Sequence, residues 1–199
     1  MTTVVLSVDP GPTRSAWMIL EDGKPTEWVH DLNDHVLEVV AGLPFTPLAI
    51  EMVSHYGPDI HPGKDVFETC VWIGRFIEAH GGEATRIYRH QVKKLLIGTG
   101  AAKDSNIRQA LIDRWGGREK AVGAVKCPAC KGKGWRGRGR TTCESCHLAQ
   151  MKDGDLVGSG YLHPPGPLHG ITGDVWQALA VAVCYAEMHE GAMDSGAPV

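Results

Sequence analysis

An α/β fold carrying a small metal-stapled insert is predicted by three features of this chain of 199 residues. Short apolar runs rich in β-branched residues alternate with stretches of helical periodicity, the pattern of a sheet covered by helices. Two of these runs carry a single acid near the end, Asp9 and Glu51, and a third acid, Asp174, stands just ahead of the last helical stretch. Two Cys-x-x-Cys pairs, Cys127 with Cys130 and Cys143 with Cys146, are separated by twelve residues. Each pair places two thiolates on one tetrahedral ion, and together they make a closed four-thiolate zinc site.

The stretch Val4 to Leu20 organises the rest. Val4, Val5, Leu6 and Val8 read as a strand buried on both faces, so Asp9 sits where that strand leaves the core. Gly11 between Pro10 and Pro12 forces a turn, and Ser15 to Leu20 returns as an antiparallel neighbour. Taken alone, Asp9 suits an Asx turn equally well. Ala49 to Val53 repeats the arrangement around Glu51, and three carboxylates at the borders of apolar structure suit a hard cation such as Mg²⁺ or Mn²⁺.

Asp22-Gly23 signals a hairpin turn, and Pro25 to His30 reads as a third, edge strand. Asp31 or Asn33 is expected to cap a helix through about Ala41, with Val36, Leu37, Val39 and Val40 inward. The Glu51 strand is fourth, and a polar loop from Ser54 to Lys64 with His55 and His61 follows it. Asp65 to Ala79 reads as a helix with Phe67, Cys70, Val71, Gly74 and Ile77 on its packed face and Trp72 and Phe76 nearby, stopped by Gly81-Gly82. Ala84 to Tyr88 is the fifth strand, and His90 to Ile97 a short helix bearing Lys93 and Lys94. The run Gly98 to Lys103 lacks the Gly-Lys-Ser/Thr ending of a phosphate loop and reads as a turn between helices. Lys103 and the following helix start remain placed to touch a phosphate backbone. Asp104 to Trp115 is that helix, with Ile107, Ala110, Leu111 and Trp115 inward and Arg108 and Arg114 outward.

Lys131, Lys133, Arg136, Arg138 and Arg140 lie between the cysteine pairs, with Trp135 among them. Such a finger suits phosphate tracking and base stacking, or simply a solvated loop tip. Lys152 to Gly173 reads as loop, with Gly-Ser-Gly and Pro-Pro-Gly-Pro interruptions. Asp174, a helix cap or a metal ligand, precedes an amphipathic helix packed through Val175, Ala178, Leu179, Ala182, Val183 and Ala186. Gly191 to Val199 reads as a frayed tail.

A hydrophobic content of 43% supports one core. The expected division is a core over 1–122, the zinc insert over 123–150, and the closing part of the core over 151–199. No apolar run reaches the length of a membrane span, and the N-terminus lacks a basic, then apolar, signal segment. A cytoplasmic protein, bacterial or phage-encoded in its host, with no membrane contact is the expectation. The remaining cysteines, Cys70 and Cys184, lie in helical patterns and are expected to be buried thiols. The net charge of -3 conceals a division. From Arg86 to Arg140 there are 15 Lys and Arg against Asp104, Asp113 and Glu119. A basic surface for a polyanion, in an intracellular protein usually nucleic acid, is one reading; a solvated helix face is the other.

The pieces V-D-P-G at Val8 to Gly11, A-I-E at Ala49 to Glu51, R-H-Q-V-K-K-L-L-I-G-T-G-A-A-K at Arg89 to Lys103, and D-V-W-Q-A-L-A-V-A-V at Asp174 to Val183 occur in one order. In this the chain resembles the RuvC family of Holliday junction resolvases, within the RNase H-like superfamily. The resemblance implies a five-stranded mixed sheet flanked by helices, Mg²⁺-dependent hydrolysis of branched DNA, and a homodimer that nicks two strands. By position, Asp9, Glu51 and Asp174 match family metal-binding carboxylates and Lys103 a basic position facing DNA. Two ions about 3.5 to 4 Å apart are then expected, Asp9 bridging them and Glu51 and Asp174 each holding one. Gln177 departs from the pattern, standing where the family has a second acid, and His169 or Asp155 is a candidate to complete the shell. The zinc insert is foreign to the basic plan and suggests a phage branch. Lys93, Lys94, Lys103, Arg108 and the basic finger are the candidate DNA contacts. A nucleic-acid-binding module with a decayed site is the alternative. An actin-like ATPase or sugar kinase would need a second phosphate motif that the sequence lacks.

Overall fold

Buried on both sides along its middle, the first apolar run forms β1 (Val4–Asp9). The computed structural model describes residues 3–54, 62–100, 103–123, 125–136, 141–146, 149–152, 155–158, 160–163 and 165–195. It divides into two units, Met1–Leu111 with Ile171–Val199, and Ile112–Gly170.

In the first unit β1 pairs antiparallel with β2 (Arg14–Glu21), which pairs antiparallel with β3 (Lys24–Leu32) at the sheet edge. Asp22 and Gly23 both take positive φ, 47° and 71°, as a two-residue hairpin of the right twist requires. After α1 (Asn33–Ala41), β4 (Leu48–Met52) returns parallel to β1. After α2 (Lys64–His80), β5 (Ala84–Tyr88) lies parallel to β4 and completes the mixed order β3-β2-β1-β4-β5. Then come α3 (Arg89–Ile97) and α4 (Asp104–Arg114). The last element, α6 (Val175–Ser195), packs on β1 and β2.

The sheet has two covered faces because strand side chains alternate. Leu6, Val8, Leu48 and Ile50 join Val36 and Val40 of α1 and Ile73 and Phe76 of α2 in one cluster. On the other face Ser7 Oγ donates to the carbonyl of Ala178 in α6 at 2.8 Å. Asp9, two residues further along β1, therefore points to the α6 side.

Several sequence expectations change. Asn33 does not cap α1. It is buried, its amide donates to the Gly11 carbonyl at 3.0 Å, and its Oδ1 accepts from Ser15 Oγ at 2.7 Å, tying down the turn after Asp9. Gly11 is required there, since a Cβ would collide with the Arg14 carbonyl. The packed face of α2 is Thr69, Ile73, Phe76 and His80, while Phe67, Cys70, Val71 and Gly74 face outward. This helix carries apolar residues on two stripes, and only packing decides which one the core takes. Cys70 is thus exposed, and Cys184 alone of the pair is buried. The expected tail belongs to α6 as far as Ser195.

In the second unit, α5 (Arg118–Ala121) is followed by short strands, of which Asp155–Gly158 and Tyr161–His163 fall in the stretch expected to be loop and the others in or beside the expected insert. β6 (Val125–Lys126), which precedes the first cysteine pair, takes β11 (Tyr161–His163) as antiparallel partner. β7 (Trp135–Arg136) pairs with β8 (Thr141–Thr142), and β9 (Ala149–Lys152) with β10 (Asp155–Gly158). Strands this short have no readable periodicity, and the partner of β11 is distant in sequence. The four cysteine side chains form the buried cluster between them. Close backbone passage is needed here too: a Cβ on Gly160 would strike the Gly132 carbonyl.

Candidate active site and thiolate cluster

The parallel register of β1 and β4 sets Val8 beside Ile50, so the next residues, Asp9 and Glu51, emerge side by side. The Ser7 to Ala178 bond fixes α6 against β1, and Asp174 lies one helical turn before Ala178. All three acids line one cleft of about 520 Å³, together with Arg89, Lys93, Asp104 and Gln177.

The acids are in different environments. Glu51 is largely buried, while Asp174 is exposed and lies 3.6 Å from His30 Nε2. Burial holds the Asp9 carboxyl well above the ordinary carboxylate range, the neighbouring Glu51 pushes it further, and Arg89 only partly offsets them. Glu51 is raised in the same direction by burial, against the pull of Arg89. Two clustered acids that resist ionising together form a site that a cation would stabilise. Gln177 adds a neutral oxygen: its Oε1 is buried and accepts no hydrogen bond from the protein. An all-oxygen donor set of this kind fits a hard divalent ion.

Arg89 was not singled out in the sequence. It directly follows β5, where Ile87 pairs with Glu51, so it projects at the same sheet edge two residues on. Nη1 donates to Glu51 Oε1 at 3.0 Å and Oε2 at 3.2 Å, and Nη2 lies 2.8 Å from Asp104 Oδ2. Lys93 lies 3.6 Å from the other oxygen of Asp104, which turns this lysine toward the cleft. Lys94, Lys103 and Arg108 are exposed, and the Arg108 guanidinium lies 4.8 Å from the ring centre of Trp176.

In the second unit the Sγ atoms of Cys127, Cys130, Cys143 and Cys146 lie within 4.8 Å of one another. Cys127 to Cys143 is 3.9 Å and Cys130 to Cys146 is 3.4 Å, near the roughly 3.8 Å edge of a tetrahedron with 2.3 Å zinc–sulfur bonds. The donor set fits zinc. Against the opposing effect of burial, backbone N–H groups of Gly134 and Gly132 and the neighbouring cysteines bring Cys130 down to about 6. The Gly134 N–H lies 3.3 Å from Cys130 Sγ. Gly132 and Gly134 take positive φ, 84° and 77°, which turns the chain back over the sulfur. Lys131 and Lys133 are exposed, and Lys133 Nζ lies 5.3 Å from the ring centre of the half-buried Trp135. Arg136 belongs to β7. Arg138, Arg140, His55, His61 and His147 lie outside the described residues. Asp155 and His169 belong to the second unit.

The mixed sheet with flanking helices is the RNase H-like fold seen in RuvC. Among solved structures, RuvC of Thermus thermophilus is similar with a TM-score of 0.50 and 15% identity, covering 94% of this chain and 96% of that one. RuvC of T. thermophilus in complex with a Holliday junction substrate gives a TM-score of 0.51 and 16% identity over the same shares. No family model matches the sequence. Among curated proteins, chaperone protein dnaJ A6 of Oryza sativa subsp. japonica is 29% identical over 100 residues, 49% of this chain and 21% of that protein. The chain thus spans about a fifth of the length of this curated relative. No described helix is long and apolar enough to cross a membrane.

Proposed function

We propose that the chain is a divalent-metal-dependent, structure-specific endonuclease that cuts branched DNA in the manner of a Holliday junction resolvase. The observation that carries this reading is the convergence of Asp9, Glu51 and Asp174 in one cleft of an RNase H-like sheet. Asp9 and Asp174 would hold the metal, with Glu51 beside them. A divalent ion in such a cleft supplies an activated water and stabilises charge on the leaving oxygen. The chain's own residues do the rest. Asn33 and Ser15 hold the turn that orients Asp9, and α6 brings Asp174 to it. Lys94, Lys103 and Arg108 offer positive charge to the phosphate backbone, and the basic finger adds more in the second unit. The four cysteines hold one structural zinc ion, whose role is to fold a segment too rich in glycine to fold without it.

Cutting two strands symmetrically calls for a twofold dimer. The outward stripe of α2, where Phe67 and Val71 are 60% and 57% exposed, offers the apolar surface for it. We place the protein in the bacterial cytoplasm, as a host or phage product, because branched DNA arises there.

Incubation with four-way junctions, forks, flaps, RNA–DNA hybrids and linear duplexes, with and without Mg²⁺, tests the assignment. Mg²⁺-dependent cutting of branched forms in preference to linear duplex is expected. Binding of junctions without cutting under any divalent ion would replace it with the second reading, a DNA-binding module, which Gln177 at an acidic family position favours.

A further inference from the structure

Glu51 and Gln177 line the same cleft but differ in their partners there. Arg89 Nη1 donates to both oxygens of Glu51, at 3.0 and 3.2 Å, and the guanidinium is held from its other side by Asp104 at 2.8 Å. Arginine keeps its charge at any working pH, so this is a permanent cation built into the floor of the site. Gln177 Oε1, in the same cleft, is buried with no hydrogen-bond partner in the protein, a position that costs free energy unless a cation or donor meets it. The charge balance agrees. With every group ionised, as a bound cation would favour, the five carboxylates and three bases lining the cleft leave two negative charges, which one divalent ion neutralises and two would exceed.

We propose that Arg89 takes the place of one of the two cations expected of such a site. The cleft then binds a single divalent ion through Asp9, Asp174 and the amide oxygen of Gln177, while Glu51 stays paired with the guanidinium. The proposal rests on the nuclease reading for what the ion is used for, but not for how many ions bind. Held between Glu51 and Asp104, the guanidinium would supply fixed positive charge beside the acids of the cleft, the electrostatic role a second cation would otherwise have.

Titration of the full-length, zinc-retaining protein with Mn²⁺, followed by calorimetry and by electron paramagnetic resonance in the absence of DNA, tests the count directly. One Mn²⁺ per chain is expected. Arg89→Gln, which frees Glu51, is expected to raise the count to two, and Gln177→Leu, which removes the amide oxygen, to weaken binding on the order of tenfold. Two equivalent ions in the parent protein overturn the proposal, as does a count in Arg89→Gln that stays at one. If Arg89→Gln fails to fold, the parent count and the Gln177→Leu affinity still decide. A single bound ion in a protein that cuts no DNA supports this inference and removes the nuclease reading. Two bound ions in a protein that does cut overturn the inference and keep the nuclease.

Discussion

Ser7 and Ala178 are 171 residues apart in sequence, yet Ser7 Oγ donates a 2.8 Å hydrogen bond to the Ala178 carbonyl in the core of the first unit. A hydroxyl on a strand buried on both faces is costly unless it is paired, and here the pairing fixes the last helix against the first strand. Asp9 lies two residues beyond Ser7, and Asp174 one helical turn before Ala178. The same bond that satisfies a buried polar group therefore sets the separation of two of the three acids.

Asp9→Asn is expected to lower cutting of a branched substrate by roughly 10³-fold or more while leaving junction binding near the parent value. A carboxylate that is raised by burial and by Glu51 is a poor structural element, which is why its replacement should leave the fold intact. Cleavage assays and gel-shift titrations in parallel would check both halves. Full activity in the Asn variant would remove Asp9 from the mechanism.

Stability without divalent ions should fall as pH rises. The folded-state pKa of Asp9 lies above its unfolded value, so its contribution is complete below the unfolded value and lost as pH climbs through the folded one; Glu51 acts with the same sign. Mg²⁺ binds the ionised acids, so its stabilising effect should grow over the same range. Melting curves in chelator and in Mg²⁺, from acid to mildly basic pH, read this out. A Mg²⁺ shift that is flat with pH would mean that the ion binds elsewhere.

Gln177→Glu should tighten divalent binding, since it adds a charge one helical turn from Asp174 and converts a neutral oxygen donor into an anionic one. Calorimetric Mg²⁺ titration of the two proteins is the measurement. Superimposable isotherms would put residue 177 outside the metal shell.

The second unit should depend on zinc and be separable from catalysis. Protein purified without added metal is expected to carry one zinc per chain, and Cys130→Ala to lose it. Replacing Lys131, Lys133, Arg136, Arg138 and Arg140 by Ala should weaken junction binding and flatten its salt dependence by roughly 0.9 in log–log slope per lost phosphate contact. The Mg²⁺ requirement for cutting at saturating protein should survive. A salt slope equal to the parent's would leave the finger as a solvated loop or a contact for another protein.

Phe67→Asp on the outward stripe of α2 is expected to turn a dimer into a monomer without changing the melting temperature of the monomeric fold by more than a few degrees. Light scattering across a concentration series would show it. A parent protein that is monomeric throughout would leave this apolar stripe without a twofold partner.

Much of the sheet was legible in the sequence because it is written locally. β1, β2 and β4 are dense apolar runs, β5 is a short β-branched and aromatic stretch after a glycine pair, Asp22-Gly23 admits few conformations other than a tight hairpin, and two cysteine knuckles at close spacing bring their own core. The acids at the ends of β1 and β4 and at the start of α6 were visible for the same reason, since a carboxylate bordering buried structure stands out. Only the tertiary structure decided which of two apolar stripes of α2 is packed, because both have helical spacing and the choice depends on what β4 and α1 present to it. It alone revealed that Asn33 anchors the turn after Asp9 rather than capping a helix, and that β6 and β11 find each other across the cysteine knuckles. The role of Arg89 was the least visible of all. An arginine after a strand reads as one more surface base, and its meeting with Glu51 exists because parallel β4 and β5 bring their ends to the same edge of the sheet, while the start of α4 brings Asp104 to its other side.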